Sequence, residues 1–327
     1  MFTPRNGIEY QSWSRGEGAE PAFVTPDAPE GVVIDYSLPR RLRASHAERA
    51  EHHTPVKIEV RDAGGQLIAT RYGPARRGLN RYVWNMRYDP PTATDFEKAP
   101  LRGPPPAWAQ LPQPEVLPGT YTVSVTADGR TETAEARVLA DPNQPPALAA
   151  QRQALQAALE ARAQVDALNR MLNQISAMQA KLAAYRAAVM AQSNSIDPSL
   201  QVKVHAAAAL LARGQRLGQA LATLKNSVYN PKVQHKVFED NLHQLTDLHD
   251  ALEMNAATLA GLGVQAPTGP LRAITAELSA ALGGRLAEYN ALLSGPVAAY
   301  DQAAYQAGAP TLGPGGPITV GAVPRID

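Results

Sequence analysis

GLNRYVWNMRY, from Gly78 to Tyr88, places Tyr82, Trp84, Met86 and Tyr88 at every second position against Val83, Asn85 and Arg87. A period of two is that of a β-strand, so the stretch predicts one long strand with a bulky aromatic face. Aromatics that alternate along a strand usually form a core face rather than an exposed platform for stacking sugars, and Tyr82, Trp84 and Tyr88 are assigned to the core.

Reading outward, the neighbouring segments carry the same signature. Gly31–Leu38 (GVVIDYSL) is rich in β-branched residues, and Val56, Ile58 and Val60 alternate with Lys57, Glu59 and Arg61. Asp62-Ala63-Gly64-Gly65 is a turn that returns the chain as a hairpin strand over Gln66–Tyr72. Tyr121, Val123 and Val125 alternate in GTYTVSVTADG, where Asp128-Gly129 marks a tight hairpin into Arg130–Leu139. Six strands with no helix between them predict an immunoglobulin-like β-sandwich over residues 31–142, preceded by an extended lead-in over 1–30. A Pro-rich loop over 89–118 is too long for a plain connection. It holds Trp108 among prolines (GPPPAWAQLPQP), where the side chain either docks a neighbouring domain or packs over its own sheet.

The composition changes near residue 146, where 19 of the 28 prolines have been used and the Ala-, Leu- and Gln-rich tracts begin. Leu148, Leu155, Leu159, Val165, Leu168, Leu172, Ile175, Leu182, Tyr185 and Val189 recur mostly at steps of three and four. They predict an amphipathic helix of about 45 residues, roughly 70 Å long. Asp197-Pro198 opens a second helix, Asn230-Pro231 a third running to about Gly261, and a fourth runs from about Pro270 to Ala307, with Gly283-Gly284 and Gly295-Pro296 as its points of disturbance. The expected class is therefore α+β multidomain: the sandwich, then an antiparallel four-helix bundle over 146–307 with a long first helix, then a flexible Gly- and Pro-rich tail over 308–327.

Chemistry is sparse in this sequence. There is no Cys among the 327 residues, which removes disulfides, thiolate metal sites and Cys nucleophiles together. With 31 Lys+Arg against 30 Asp+Glu, and the balance near zero in each half, no basic face for nucleic acid is expected. No GxGxxG, GxxxxGK[ST] or GxSxG pattern occurs in a fitting context. The densest titratable cluster is His235, Glu239, Asp240, His243, Asp247, His249 and Asp250 on the third helix. Asp240 and His243 have the i, i+3 spacing of a metal pair, but no other helix supplies the matching carboxylates, so the cluster reads as a solvated polar face. His52-His53 reads as an exposed loop, and Asp35, Asp62, Asp89 and Asp95 single out no glycosidase-type carboxylate pair. No catalytic residue, cofactor or metal site is assigned. The N-terminal MFTPRNGIEY lacks the features of a signal peptide, and no apolar run reaches the roughly 20 residues of a membrane span.

Gly78, Asn80, Arg81, Trp84, Arg87 and Tyr88, followed by Pro118–Val123 (PGTYTV) and Asp141-Pro142, form a pattern similar to one in a known family. The chain resembles the C-terminal region of large bacterial propeller proteins with neuraminidase repeats, related to sortilin-type receptors and often labelled glycosyl hydrolases. Phe2–Arg5 and Gly31–Pro39 look like the segment leaving the propeller, and Ala266-Pro267-Thr268 and Tyr289-Asn290 look similar in the helices. The resemblance implies an immunoglobulin-like domain followed by helices, and a periplasmic or extracellular setting for a full-length protein. It implies protein partners, an upstream propeller or a second copy packing through the helices, with a glycan as the alternative ligand. The propeller's Ser-x-Asp-x-Gly-x-Thr-Trp box occurs nowhere here, so no family catalytic residue transfers. The expected role is a non-catalytic structural and interaction module. The alternatives are an accessory part of an exo-acting glycosidase and a carbohydrate- or cell-wall-binding module.

Overall fold

A computed structural model describes residues 1–9, 29–51, 53–95, 111–143, 147–193, 198–230 and 247–326. Trp108 and residues 231–246, with His235, Glu239, Asp240 and His243, lie outside them.

The strands are β1 (Gly7–Ile8), β2 (Val32–Leu38), β3 (Val56–Arg61), β4 (Leu67–Tyr72), β5 (Gly78–Trp84), β6 (Gly119–Ala127) and β7 (Arg130–Leu139), with a short helix α1 (His46–Ala50) between β2 and β3. Five of them form one curled sheet in the order β1-β7-β6-β3-β4, and β2 and β5 pair alone. The sheet is mixed, because β1 lies parallel to β7 with Gly7 opposite Val138 while the other pairs are antiparallel. This corrects the expectation of an immunoglobulin-like sandwich: the architecture is mixed α/β, and the described strands form no such pair of sheets.

The reason lies in the stretch that prompted the expectation. β5 stops at Trp84, because Met86 adopts a left-handed φ of 57° that breaks the ladder. The Trp84 indole Nε1–H donates to the Arg87 carbonyl at 3.1 Å and stabilises that break. Beyond it, Tyr88 N donates to Pro114 O and Val116 N to Met86 O, both at 2.9 Å, with only an isolated bridge between Arg87 and Glu115. The second sheet therefore gains no third strand from this segment.

The strand core is built from alternating residues of both sheets. Val32, Ile34, Val56, Ile58, Val60, Trp84 and Val123 are fully buried, and Trp84 meets Tyr121 edge-on with ring centroids 5.4 Å apart. Tyr88 is buried, whereas Tyr82 is half-buried at the rim. Asp128 and Gly129 join β6 to β7 with φ of 52° and 73°, the pair of left-handed residues that a two-residue type I′ turn demands.

Helices follow: α2 (Leu148–Ser193), α3 (Pro198–Val228), α4 (Leu248–Ala260), α5 (Gly269–Leu292) and α6 (Ala298–Gln306). Of the two points where the last helix is expected to be disturbed, Gly283-Gly284 stays helical within α5, whereas Gly295-Pro296 lies in a π-helical turn over Leu293–Val297. Pro296 has no amide to donate, and the wider turn accommodates it while Ser294 Oγ returns a bond to the Asn290 carbonyl at 3.1 Å. No helix is long and apolar enough to cross a membrane among the described residues.

α2 belongs to two cores. Leu155 and Leu159 pack in the strand core, while Leu168, Met171, Leu172 and Ile175, all fully buried, centre the helical core. A polar ladder runs beside them. Arg162 Nη2 donates to Pro90 O at 3.3 Å, Asp166 Oδ1 accepts from Thr92 N and Oγ1 at 3.0 and 2.7 Å, and Asn169 Nδ2 donates to Thr92 O at 2.9 Å. Asn173 Nδ2 donates to Ala93 O at 2.9 Å, and its Oδ1 accepts from Asp95 N at 2.7 Å. Steps of four, three and four residues keep these side chains on one helix face, where they hold the backbone of 89–95 extended along α2. Burial alone would raise the Asp166 carboxyl, but the Thr92 hydroxyl and amide and the Arg170 guanidinium hold it below its usual range.

The tail from Gly308, expected to be flexible, has no helix or strand and yet is pinned. Leu312 and Ile318 are buried in the helical core, Leu312 N donates to Asp301 at 2.6 Å, and Ile326 N donates to Gln156 Oε1 at 2.9 Å.

Candidate functional site

Perturbed titratable groups converge where the β layer meets the helices. Glu9 follows β1, and its amide donates to Leu139 O at 3.0 Å, which extends the parallel pairing and turns the side chain toward Glu115. Glu115 is brought there by its bridge to Arg87, whose Nη2 lies 3.6 Å from Glu115 Oε2 while Nη1 donates to Gln113 O at 2.9 Å. Gln151, Ala154 and Leu155 of α2, with Leu259 at the end of α4, close the cleft from the other side.

Burial and then the nearby Glu115 charge push the Glu9 carboxyl up to about 8, against the opposing pull of Arg87. Burial likewise raises Glu115, with Arg87 again opposing. Glu9 Oε1 is buried with no hydrogen-bond partner among the described residues. Near neutral pH the pair thus holds a proton, which is the electrostatic requirement for acid–base work. The space is another matter: the cavity measures about 80 Å³, room for a few waters rather than for a sugar ring.

The other candidates are dispersed. Asp35 forms a two-pronged pair with Arg81 at 2.8 and 2.9 Å, which lowers its carboxyl chiefly through the hydrogen bonds. Asp62 closes the β3–β4 turn by accepting from Gln66 N at 2.8 Å. Asp89 accepts from Thr70 N at 3.0 Å and pairs with Arg71. Asp95 takes its place on the α2 ladder. None of these acids faces another across a cleft. His53 stacks on Tyr72 with centroids 3.7 Å apart, and His52 lies outside the described residues.

Asp247, His249 and Asp250 are the one group among the described residues whose ligand atoms lie close enough for a cation, within 4.8 Å of one another. Asp247 caps α4, however, accepting from Asp250 N at 2.8 Å and from Asn230 N at 2.6 Å. The buried His249 ring meets Tyr229 edge-on at 5.5 Å, with its Nε2 3.5 Å from Glu253 Oε1. These contacts account for the cluster as a helix start.

The Glu9–Glu115 pair was invisible in the sequence. The two residues are 106 positions apart, and neither carries a motif. The parallel placement of a two-residue strand and the Arg87–Glu115 bridge bring them together. The set Arg162, Asp166, Asn169 and Asn173 did have a signal, a polar stripe at helical spacing, although such stripes ordinarily face water.

No protein-family model, no curated protein and no solved structure matches the chain.

Proposed function

We propose that the chain is a non-catalytic structural and interaction module whose partner is another protein. The observation that carries this reading is the double role of α2. One helix supplies Leu155 and Leu159 to the strand core, Leu168 to Ile175 to the helical core, and a polar ladder to the 89–95 backbone. Such sharing makes the two layers a single stiff body, which suits a scaffold more than an enzyme that opens and closes around substrate. The resemblance of Gly78–Tyr88 and Pro118–Val123 to the tail of neuraminidase-repeat propeller proteins points the same way, with an upstream propeller or a second copy as the partner. Apolar side chains left exposed on the helices, Met254 at 70% and Ile274 at 51%, offer contact area for such a partner.

Trp84 and Tyr88 are spent on the strand core, which leaves Tyr82, half-buried at the rim, as the remaining ring of the stacking platform. The test is turnover. The purified chain is expected to leave a panel of chromogenic glycosides, esters and phosphomonoesters uncleaved. Hydrolysis of any of them that disappears on Glu9→Gln or Glu115→Gln overturns the reading.

A further inference from the structure

A second and much larger concavity lies away from the Glu9 cleft, between α2, the start of α5 and the C-terminal segment. Its volume is about 830 Å³, within the range of small-molecule pockets. Three arginines reach it from three separate parts of the chain: Arg152 from α2, Arg272 from the first turn of α5 and Arg325 from the tail. The single carboxylate in its wall among the described residues, Glu160, accepts from Gln156 Nε2 at 2.7 Å. Among the described residues neither Arg152 nor Arg325 has an ion-pair partner, and both line the groove. The amino end of α5, capped by Thr268, adds the positive pole of a 24-residue helix to the same wall.

An independent feature says that the groove is more than a basic patch. Gln164, in its lining, is only 7% exposed, and its Oε1 is buried with no hydrogen-bond donor among the described residues. A second buried amide stands behind the wall: Asn255, 5% exposed, accepts from Thr275 Oγ1 at 3.1 Å, and Thr275 lines the groove. Burying an amide acceptor without a donor costs free energy that native structures rarely leave unrecovered. Guanidiniums call for an oxyanion, and the Gln164 acceptor calls for a hydroxyl or N–H on the same ligand.

We propose that this groove binds a small hydroxylated oxyanion, a sugar phosphate or a sugar acid. The anionic group is held by Arg152 and Arg325, and Gln164, turning its amide out toward the groove, accepts from a ligand hydroxyl at Oε1. The site is separate from the Glu9–Glu115 pair and needs no turnover, so it stands whether or not the chain is a scaffold.

Calorimetric titration of the full chain tests it with four probes: glucose 6-phosphate, glucuronate, inorganic phosphate and neutral glucose. Saturable one-to-one binding is expected for glucose 6-phosphate or glucuronate, and the stronger of the two tells phosphate from carboxylate. Inorganic phosphate should bind more weakly and glucose not at all. Arg152→Gln and Arg325→Gln, both on the surface, should each weaken binding by about tenfold. Gln164→Leu should bring glucose 6-phosphate or glucuronate down to the level of inorganic phosphate, with far-UV circular dichroism checking that the variant is folded. Absence of saturation by either sugar anion up to about 20 mM overturns the proposal. So does binding that survives intact in the Arg152→Gln/Arg325→Gln double variant, or neutral glucose binding as well as the anions.

Discussion

Asn290 grips Ile318 at both ends of its peptide: Nδ2 donates to the Ile318 carbonyl and Oδ1 accepts the Ile318 amide, each at 2.9 Å. One side chain thereby does what a paired strand would do, and it fixes the buried Ile318 against the helical core. Asn290→Ala breaks both bonds and strands a buried amide, so it should cost about 2–3 kcal/mol. Equilibrium urea unfolding gives the magnitude. Thermolysin digestion locates it, since cleavage beside Ile318 should accelerate while cleavage in the strands should not.

Glu9 predicts a pH dependence of definite sign. Its carboxyl is raised from 4.5 to about 8, so across that window the folded chain keeps a proton that the unfolded chain releases. Stability therefore falls as pH rises through the window and levels off above it, with Glu115 adding in the same direction. Glu9→Gln should flatten this slope and raise the melting temperature relative to wild type at about pH 8.5, with little difference at about pH 4.5. Equal slopes in the two proteins would count against the assignment.

Leu155 and Leu159 join the layers, and replacing both with Ala should cost about 2–5 kcal/mol each. The larger consequence is loss of cooperativity. A single calorimetric transition in the wild type should split into two in the double variant, because strand and helical cores then melt separately. One unbroken transition at lower temperature would mean that the polar ladder alone couples the layers.

Gly31 and Gly283 should respond oppositely to the same change. Gly31 has φ of 127°, and a Cβ there would lie 2.2 Å from the Trp84 carbonyl oxygen, so Gly31→Ala should destabilise by at least about 2 kcal/mol. Gly283 sits inside α5 with open space around it, so Gly283→Ala should stabilise by about 0.5–1 kcal/mol. Chemical denaturation of the pair checks both signs.

What could be read from the sequence was local. The Val56, Ile58 and Val60 alternation and the Asp128-Gly129 turn each express a preference that a few neighbouring residues enforce, and they appear in the structure as read. Strand partnership is not local. GLNRYVWNMRY alternates without interruption to Tyr88, and nothing in the pattern reveals that Met86 turns left-handed while Trp84 bonds forward to Arg87. Gly7 and Ile8 are too few to register as a strand, yet they make the sheet mixed. Glu9 is an ordinary acid until tertiary burial raises it, and the arginines of the groove lie on three segments that only the folded tail assembles.

The anchored tail has a consequence for how the protein is made. Val323 and Ile326 pack on the strand core, and Ile326 bonds to Gln156. The nascent strands, whose last residue is Leu139, thus wait for a segment that leaves the ribosome nearly 190 residues later. At about 5–20 residues per second that is a delay of roughly 10–40 s. Throughout it the apolar ground later covered by Val323 and Ile326 stays open, and a chaperone or a neighbouring chain can occupy it first.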